Sequence, residues 1–101
     1  MDIDPKLNWE AQGEYGAREE ALVGDFYAGF GVRFSLEYRP SCYRRGPYCL
    51  LVEVAHGPDH IKWGCFDDAD QPHRYYHKKA NAIDEAQSIA DVLVRDRIKY
   101  P

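Results

Sequence analysis

The chain has 101 residues, which suits a single domain with one core between two layers of secondary structure. Hydrophobic residues make up 45% and charged residues 30%, a composition that excludes a disordered or fibrous chain. The formal net charge of −4 argues against a simple electrostatic binder of nucleic acid. The charge is uneven, however, because residues 1–32 carry −5, residues 33–79 carry +2 and residues 80–101 carry −1.

The cysteines and the apolar runs predict where in the cell the protein is located. The three cysteines, Cys42, Cys49 and Cys65, are an odd number, and the first residues lack the apolar centre of a secretory leader. We therefore expect thiols rather than disulfides and a cytoplasmic location. No apolar run approaches the roughly 20 residues that a membrane-spanning helix needs, so no membrane partner is expected.

Residues 1–30 are predicted to form an acidic helical arm. Asp4 is a good N-cap with Pro5 at the first helical position, and a second helix is predicted from Glu14 to Phe30. Leu22 and Phe26 lie four residues apart, as on one face of a helix. Three glycines weaken this helix. The alternative is that the segment from residue 23 to residue 30 enters the first strand.

Residues 31–79 are predicted to form a four-stranded antiparallel meander. Gly31–Arg39 alternates apolar and polar residues, which indicates a strand with one buried face. Tyr48–His56 is apolar on both faces in its middle, as in a central strand. Ile61–Phe66 and His73–His77 are predicted to be the third and fourth strands, separated by turn residues and Pro72.

Residues 80–101 are predicted to contain the best helix, from Asn81 to Ile98. Asn81 serves as its N-cap, and apolar residues recur along one face at helical spacing. This helix is expected to cover the apolar face of the first strand, which consists of Val32, Phe34, Leu36 and Tyr38. The predicted fold is therefore α+β: one domain (residues 1–101) with a four-stranded antiparallel meander packed by a C-terminal helix and a helical N-terminal arm.

Histidines and carboxylates are concentrated between residues 61 and 79. On a regular fourth strand, His73 and His77 share one face, next to the turn that carries Asp67. An imidazole titrates near neutral pH and can act as a general acid or base, oriented by a carboxylate. If the protein is an enzyme, we predict that His73, Asp67 and His77 are its catalytic residues.

Basic and aromatic residues alternate around the same region and in the turn before the second strand. Arg74 and Lys78 are predicted to contact phosphate, and Tyr75 to stack on a base. Arg44 and Arg45 lie among tyrosines, a pattern that suits contact with RNA or an acidic protein. These five residues are the predicted substrate-binding set.

Two other interpretations of these residues stay open. The first is a site for a divalent ion. Its ligands would be His73 and one of Asp67, Asp68 or Asp70, and the thiolate of Cys65 could be added. The spacing matches no closed zinc pattern, so we expect no metal, and nothing suggests a cofactor. The second interpretation is that these are solvated side chains on an edge strand, where charges deter pairing with other chains.

Two short motifs resemble a known family. Phe66–Ala69, followed by Pro72–His77 and an apolar helix, is similar to the TumE-like proteins of prokaryotic toxin–antitoxin modules over roughly residues 31–98. This chain has Asp68 where the family has Asn and Tyr75 where the family has a second His. The resemblance implies a cytoplasmic toxin-like protein that pairs with a DNA-binding antitoxin.

Two hypotheses for function follow. The first is a toxin-like component of a toxin–antitoxin module that acts on RNA. The alternative is a non-catalytic protein-binding module, such as a phage-type inhibitor or an assembly subunit, which the many tyrosines and the acidic arm favour. Both imply a protein partner, and both are compatible with a homo-oligomer, but only the first requires an enzyme.

Overall fold

The computed structural model describes residues 3–13, 18–56, 61–63 and 73–96. Within these ranges, six strands and one helix lie in the order β1 (Glu10–Gln12), β2 (Arg18–Asp25), β3 (Phe30–Tyr38), β4 (Tyr48–His56), β5 (Ile61–Trp63), β6 (His73–Tyr76) and α1 (Lys79–Asp96). Two short 3-10 turns precede β3 and β4, at Phe26–Ala28 and Pro40–Cys42. The α+β class, with an antiparallel sheet and a C-terminal helix, is confirmed.

The strands form one antiparallel sheet that is five strands wide, in the order β1–β2–β3–β4–β5. β6 pairs with β4 rather than β5, so the predicted four-stranded meander is wrong at its last step. β4 is long enough for two short strands to share one of its edges. Ile61 of β5 lies opposite Ala55 in the second half of β4, and His73 of β6 lies opposite Leu51 in the first half.

The predicted helical arm is not found. Residues 3–9 have no regular structure, and residues 10–12 and 18–25 are strands. In β2 the side chains of Ala21 and Val23 are buried, whereas that of Leu22 between them is 38% exposed. This alternation has the period of a strand, and β2 pairs along its whole length with β3. Pairing with β3 therefore determines the structure of this segment, although Leu22 and Phe26 have a spacing of four residues that is typical of a helix.

The core lies between the sheet and α1. It contains Val32, Phe34 and Leu36 of β3, which lie opposite Val54, Val52 and Leu50 of β4. The prediction that the helix covers the apolar face of this strand is confirmed for these three residues. It is wrong for Tyr38, whose side chain is 49% exposed at the end of β3.

Helix α1 begins two residues earlier than predicted. The amides of Asn81 and Ala82 donate to the carbonyl of Lys78 at 3.2 and 3.3 Å, so Asn81 lies inside the first turn and is not the N-cap. The helix contacts the sheet through fully buried alanines at positions 82, 86 and 90 and through Leu93. Small side chains let the helix approach the sheet closely. In the part of the chain described here, no helix is both long and apolar enough to cross a bilayer.

Candidate functional site

The two faces of the sheet separate residues that are neighbours in sequence. Directly opposed residues of an antiparallel pair project to the same face. Arg74 lies opposite Leu50, on the face covered by α1, and its Nη1 donates to Oε1 of Glu85 at 3.2 Å. Tyr75 lies opposite Cys49, on the face away from α1, which we call the outer face. Two predicted binding residues are thus on different faces.

The connection between β3 and β4, residues 39–47, which we call the hairpin tip, packs against β6. Its ends are joined by the Arg39 amide, which donates to the Pro47 carbonyl at 2.6 Å. Gly46 has a φ of +117°, and a Cβ atom at this position would overlap the backbone of Tyr76. Only glycine fits both requirements, so Gly46 fixes the hairpin tip against the end of β6.

This contact assembles a cationic surface. We call residues 38–48 and 75–79 together the basic end; they contain five Arg or Lys residues and no carboxylate. Arg39 is paired with Glu37 at 2.9 Å and Lys79 with Glu19 at 2.7 Å. Among the described residues, no carboxylate lies within 4.0 Å of the remaining three, which are Arg44, Arg45 and Lys78.

Tyrosine rings accompany these cations. The guanidinium carbon of Arg45 lies 5.7 Å from the centroid of the Tyr75 ring, and that of Arg44 lies 5.8 Å from the Tyr43 ring. Tyr43 is 63% exposed. The basic end therefore contains cations that lie near aromatic rings, and one of these rings, that of Tyr43, is exposed. Cations of this kind bind phosphates, and exposed aromatic rings stack on unpaired bases.

The predicted catalytic residues are only partly described. His73 is the first residue of β6, opposite Leu51. His77 is exposed in the bend after β6, next to Lys78 and so in the basic end. Asp67 lies outside the described residues, as do Asp68, Asp70 and Cys65. The pairing of His73 with Asp67 stays a prediction. Within the described segments, no group of three potential metal-ligating side chains comes together.

A second polar cluster, on the outer face, was not predicted. Glu53 of β4 is fully buried, and its Oε1 accepts hydrogen bonds from Nε (2.7 Å) and Nη2 of Arg33 on β3. Nη1 of Arg33 donates to the Tyr27 hydroxyl at 3.4 Å, and that hydroxyl donates to the Glu20 carboxylate at 3.0 Å. The guanidinium also lies 5.2 Å from the centroid of the Phe26 ring. The cluster links β2, β3 and β4.

Arg33 stays charged in this environment. Burial lowers its pKa, but the hydrogen bonds with Tyr27 and Glu53 and the charge of Glu53 outweigh that effect and raise the pKa above its ordinary value. Oε2 of Glu53 is buried and has no hydrogen-bond partner among the described residues. Both hydrogen bonds from Arg33 are therefore accepted by Oε1 of Glu53.

One signal in the sequence indicates that Glu53 needs a partner. Glu53 interrupts an otherwise apolar run in the strand predicted to be central, and a carboxylate there requires a cationic partner. Arg33 occupies a polar position in the alternation of Gly31–Arg39, but nothing local shows that it lies directly opposite Glu53. The pairing is set by the register of β3 and β4, which places Arg33 opposite Glu53.

No family model matches the chain, and no match to it was found among curated proteins or among solved structures.

Proposed function

We propose that this protein is a toxin-like component of a toxin–antitoxin module that acts on RNA and contacts it through the basic end. The observation that carries the proposal is the packing of the hairpin tip on β6. It places Arg44 and Arg45 at the same end of the sheet as Lys78, and none of the three is neutralised by a described carboxylate. Arginine and lysine in this setting bind phosphate oxygens.

The local potential supports an anionic ligand despite the net charge of −4. The first turn of α1 lies at the basic end and contains no acidic residue. The positive end of the helix dipole therefore adds to the field of the cations.

The proposed chemistry uses two histidines. His73 is assigned as the general acid or base and Asp67 as the carboxylate that orients it. His77, which is exposed beside Lys78 and lies in the basic end, is assigned as the second imidazole. Arg74 is assigned no primary phosphate contact, because Glu85 already engages its guanidinium on the other face of the sheet. The resemblance to TumE-like proteins supports the same class of function.

A direct experiment is to incubate the purified protein with labelled RNA and, separately, to express it from an inducible promoter. We expect RNA cleavage or modification and growth arrest, both abolished by His73→Ala. Arg44→Gln with Arg45→Gln should weaken RNA binding, whereas Lys6→Gln with Arg95→Gln removes the same charge elsewhere and should not. If RNA is untouched and unbound by the unaltered protein, the proposal is wrong.

A specific feature favours the second hypothesis, a protein-binding module. β1 pairs only with residues 18–20 of β2, so in the described structure residues 21–25 have no strand on that side. Leu22 is exposed on this edge, with the carboxylates of Glu10 and Asp25 at either end. Such an edge suits an added strand from a basic partner.

A partner strand on this edge would protect the amides of residues 21–25 from hydrogen exchange, and Leu22→Lys would release it. His73→Ala would leave the complex intact. A complex in which only the basic end is protected would instead favour the first hypothesis.

A further inference from the structure

We infer that the RNA taken by the basic end is single-stranded and is held by stacking on exposed tyrosines as well as by phosphate contacts. This inference rests on the proposed function, because it names the ligand class of the same surface. The observations that carry it are the exposure of the rings, the small number of cations without partners and the way in which Arg45 is held.

The rings are presented to solvent rather than used in the core. Tyr43 is mostly exposed, although burial of an aromatic ring is favourable. Tyr38 is about half exposed, and its ring centroid lies 5.2 Å from that of Tyr48. Bases inside a duplex are already stacked on each other and cannot lie on such rings, whereas unpaired bases can.

The cations are too few to bind a duplex by charge alone. Of the five cations in the basic end, three (Arg44, Arg45 and Lys78) have no carboxylate partner among the described residues. Shape-selective binding of duplex RNA uses backbone contacts spread over about 16 base pairs. Three cations at one end of a sheet cover a much shorter stretch of backbone, so the base-stacking contribution is needed.

Arg45 is held in place before a ligand binds. Its guanidinium lies against the Tyr75 ring, and Tyr75 is fixed in β6 opposite Cys49. A side chain whose position is set in this way loses less conformational freedom when it binds a phosphate. Arg45 thus marks where the backbone of the strand lies, and the exposed ring of Tyr43, two residues away, is placed to take a base.

The test measures fluorescence anisotropy with a labelled oligoribonucleotide, the same sequence annealed into a duplex, inorganic polyphosphate and an oligoglutamate peptide. We expect the single strand to bind at least tenfold more tightly than the duplex and the polyphosphate. With three phosphate contacts, log K against log salt should have a slope of about −2, at roughly 0.7 per contact for single strands.

The variants separate stacking from charge. Tyr43→Ala should weaken binding of the single strand roughly tenfold, which is within the range for loss of one stacked base. Tyr43→Phe, which keeps the ring, should restore most of the affinity. Tyr27→Ala is the matched control, because Tyr27 is equally exposed but lies at the opposite end of the strands. Circular dichroism confirms that each variant is folded.

The outcomes are distinguishable. If the duplex binds as tightly as the single strand, or if Tyr43→Ala has no effect while Arg44→Gln weakens binding, the inference is wrong and the proposed function stands. If only oligoglutamate binds, both are wrong and the basic end is a site for an acidic protein. Binding of polyphosphate as tight as that of the single strand would also overturn the inference, because stacking would then contribute nothing.

Discussion

At the scale of single residues, the dominant feature is the carboxylate of Glu53 inside the sheet. Burial of a charge is unfavourable unless it is paired, and Arg33 supplies the pair from the adjacent strand. Arg33 itself keeps a quarter of its side chain exposed and packs against Phe26. The strand position of Glu53 was predictable from sequence, but its partner was not, because that depends on register.

Glu53→Gln should lower the free energy of unfolding by about 1–3 kcal/mol, because it leaves the Arg33 charge partly buried without a counter-charge. The double variant Arg33→Met with Glu53→Leu removes both charges and should be more stable than the sum of the single changes implies. Urea denaturation of the unaltered protein, of Arg33→Met, of Glu53→Leu and of the double variant measures this coupling. Additive single effects would show that the two side chains do not stabilise each other.

At the scale of elements, the placement of β6 on β4 organises the basic end. β6 has only four residues and is kept in place by pairing with β4 and by contact with the hairpin tip. The boundaries of β4 itself were predicted correctly, because an apolar run that begins after Pro47 is a local signal. That β6 would skip β5 was not predictable, because two short strands compete for the same edge of β4.

Gly46→Ala should separate the hairpin tip from β6, since the new methyl group overlaps the Tyr76 backbone and the positive φ is unfavourable. We expect a loss of about 2–4 kcal/mol in the free energy of unfolding, together with weaker RNA binding. Gly13→Ala is the matched control, because Gly13 also has a positive φ but has no atom within 4 Å of the added methyl group. It should cost only about 1–2 kcal/mol. Equal losses in the two variants would argue against the packing contact.

At the scale of the whole molecule, residues 5–7 close the core beside α1. The side-chain amide of Gln87 accepts a hydrogen bond from the Leu7 amide at 3.0 Å and donates to the Pro5 carbonyl at 2.9 Å. Leu7 is buried in the core cluster. The segment predicted to begin a helix therefore has its backbone groups paired with a helix side chain instead, which explains why it needs no regular structure.

Gln87→Ala should lower the free energy of unfolding by about 1–2 kcal/mol, the usual value for the loss of two partly buried hydrogen bonds. The amide hydrogen of Leu7 should exchange with solvent faster, by the factor that corresponds to this loss of free energy. Ser88→Ala, at the next and exposed position of the helix, should change neither quantity. An unchanged exchange rate at Leu7 in the Gln87 variant would mean that the segment is held by other contacts.

The sequence by itself determined the α+β class, the limits of β4 and the apolar faces of β3 and α1. These depend on periodic patterns within one segment, and burial of Val32, Phe34 and Leu36 follows directly from their alternation. Only the tertiary structure decided that residues 18–25 form a strand, because Leu22 and Phe26 satisfy a helical spacing equally well and pairing with β3 settles the choice. It also decided the site. The basic end and the Arg33–Glu53 pair each join residues from separate strands, and which strands become neighbours is set by how the whole sheet buries its core.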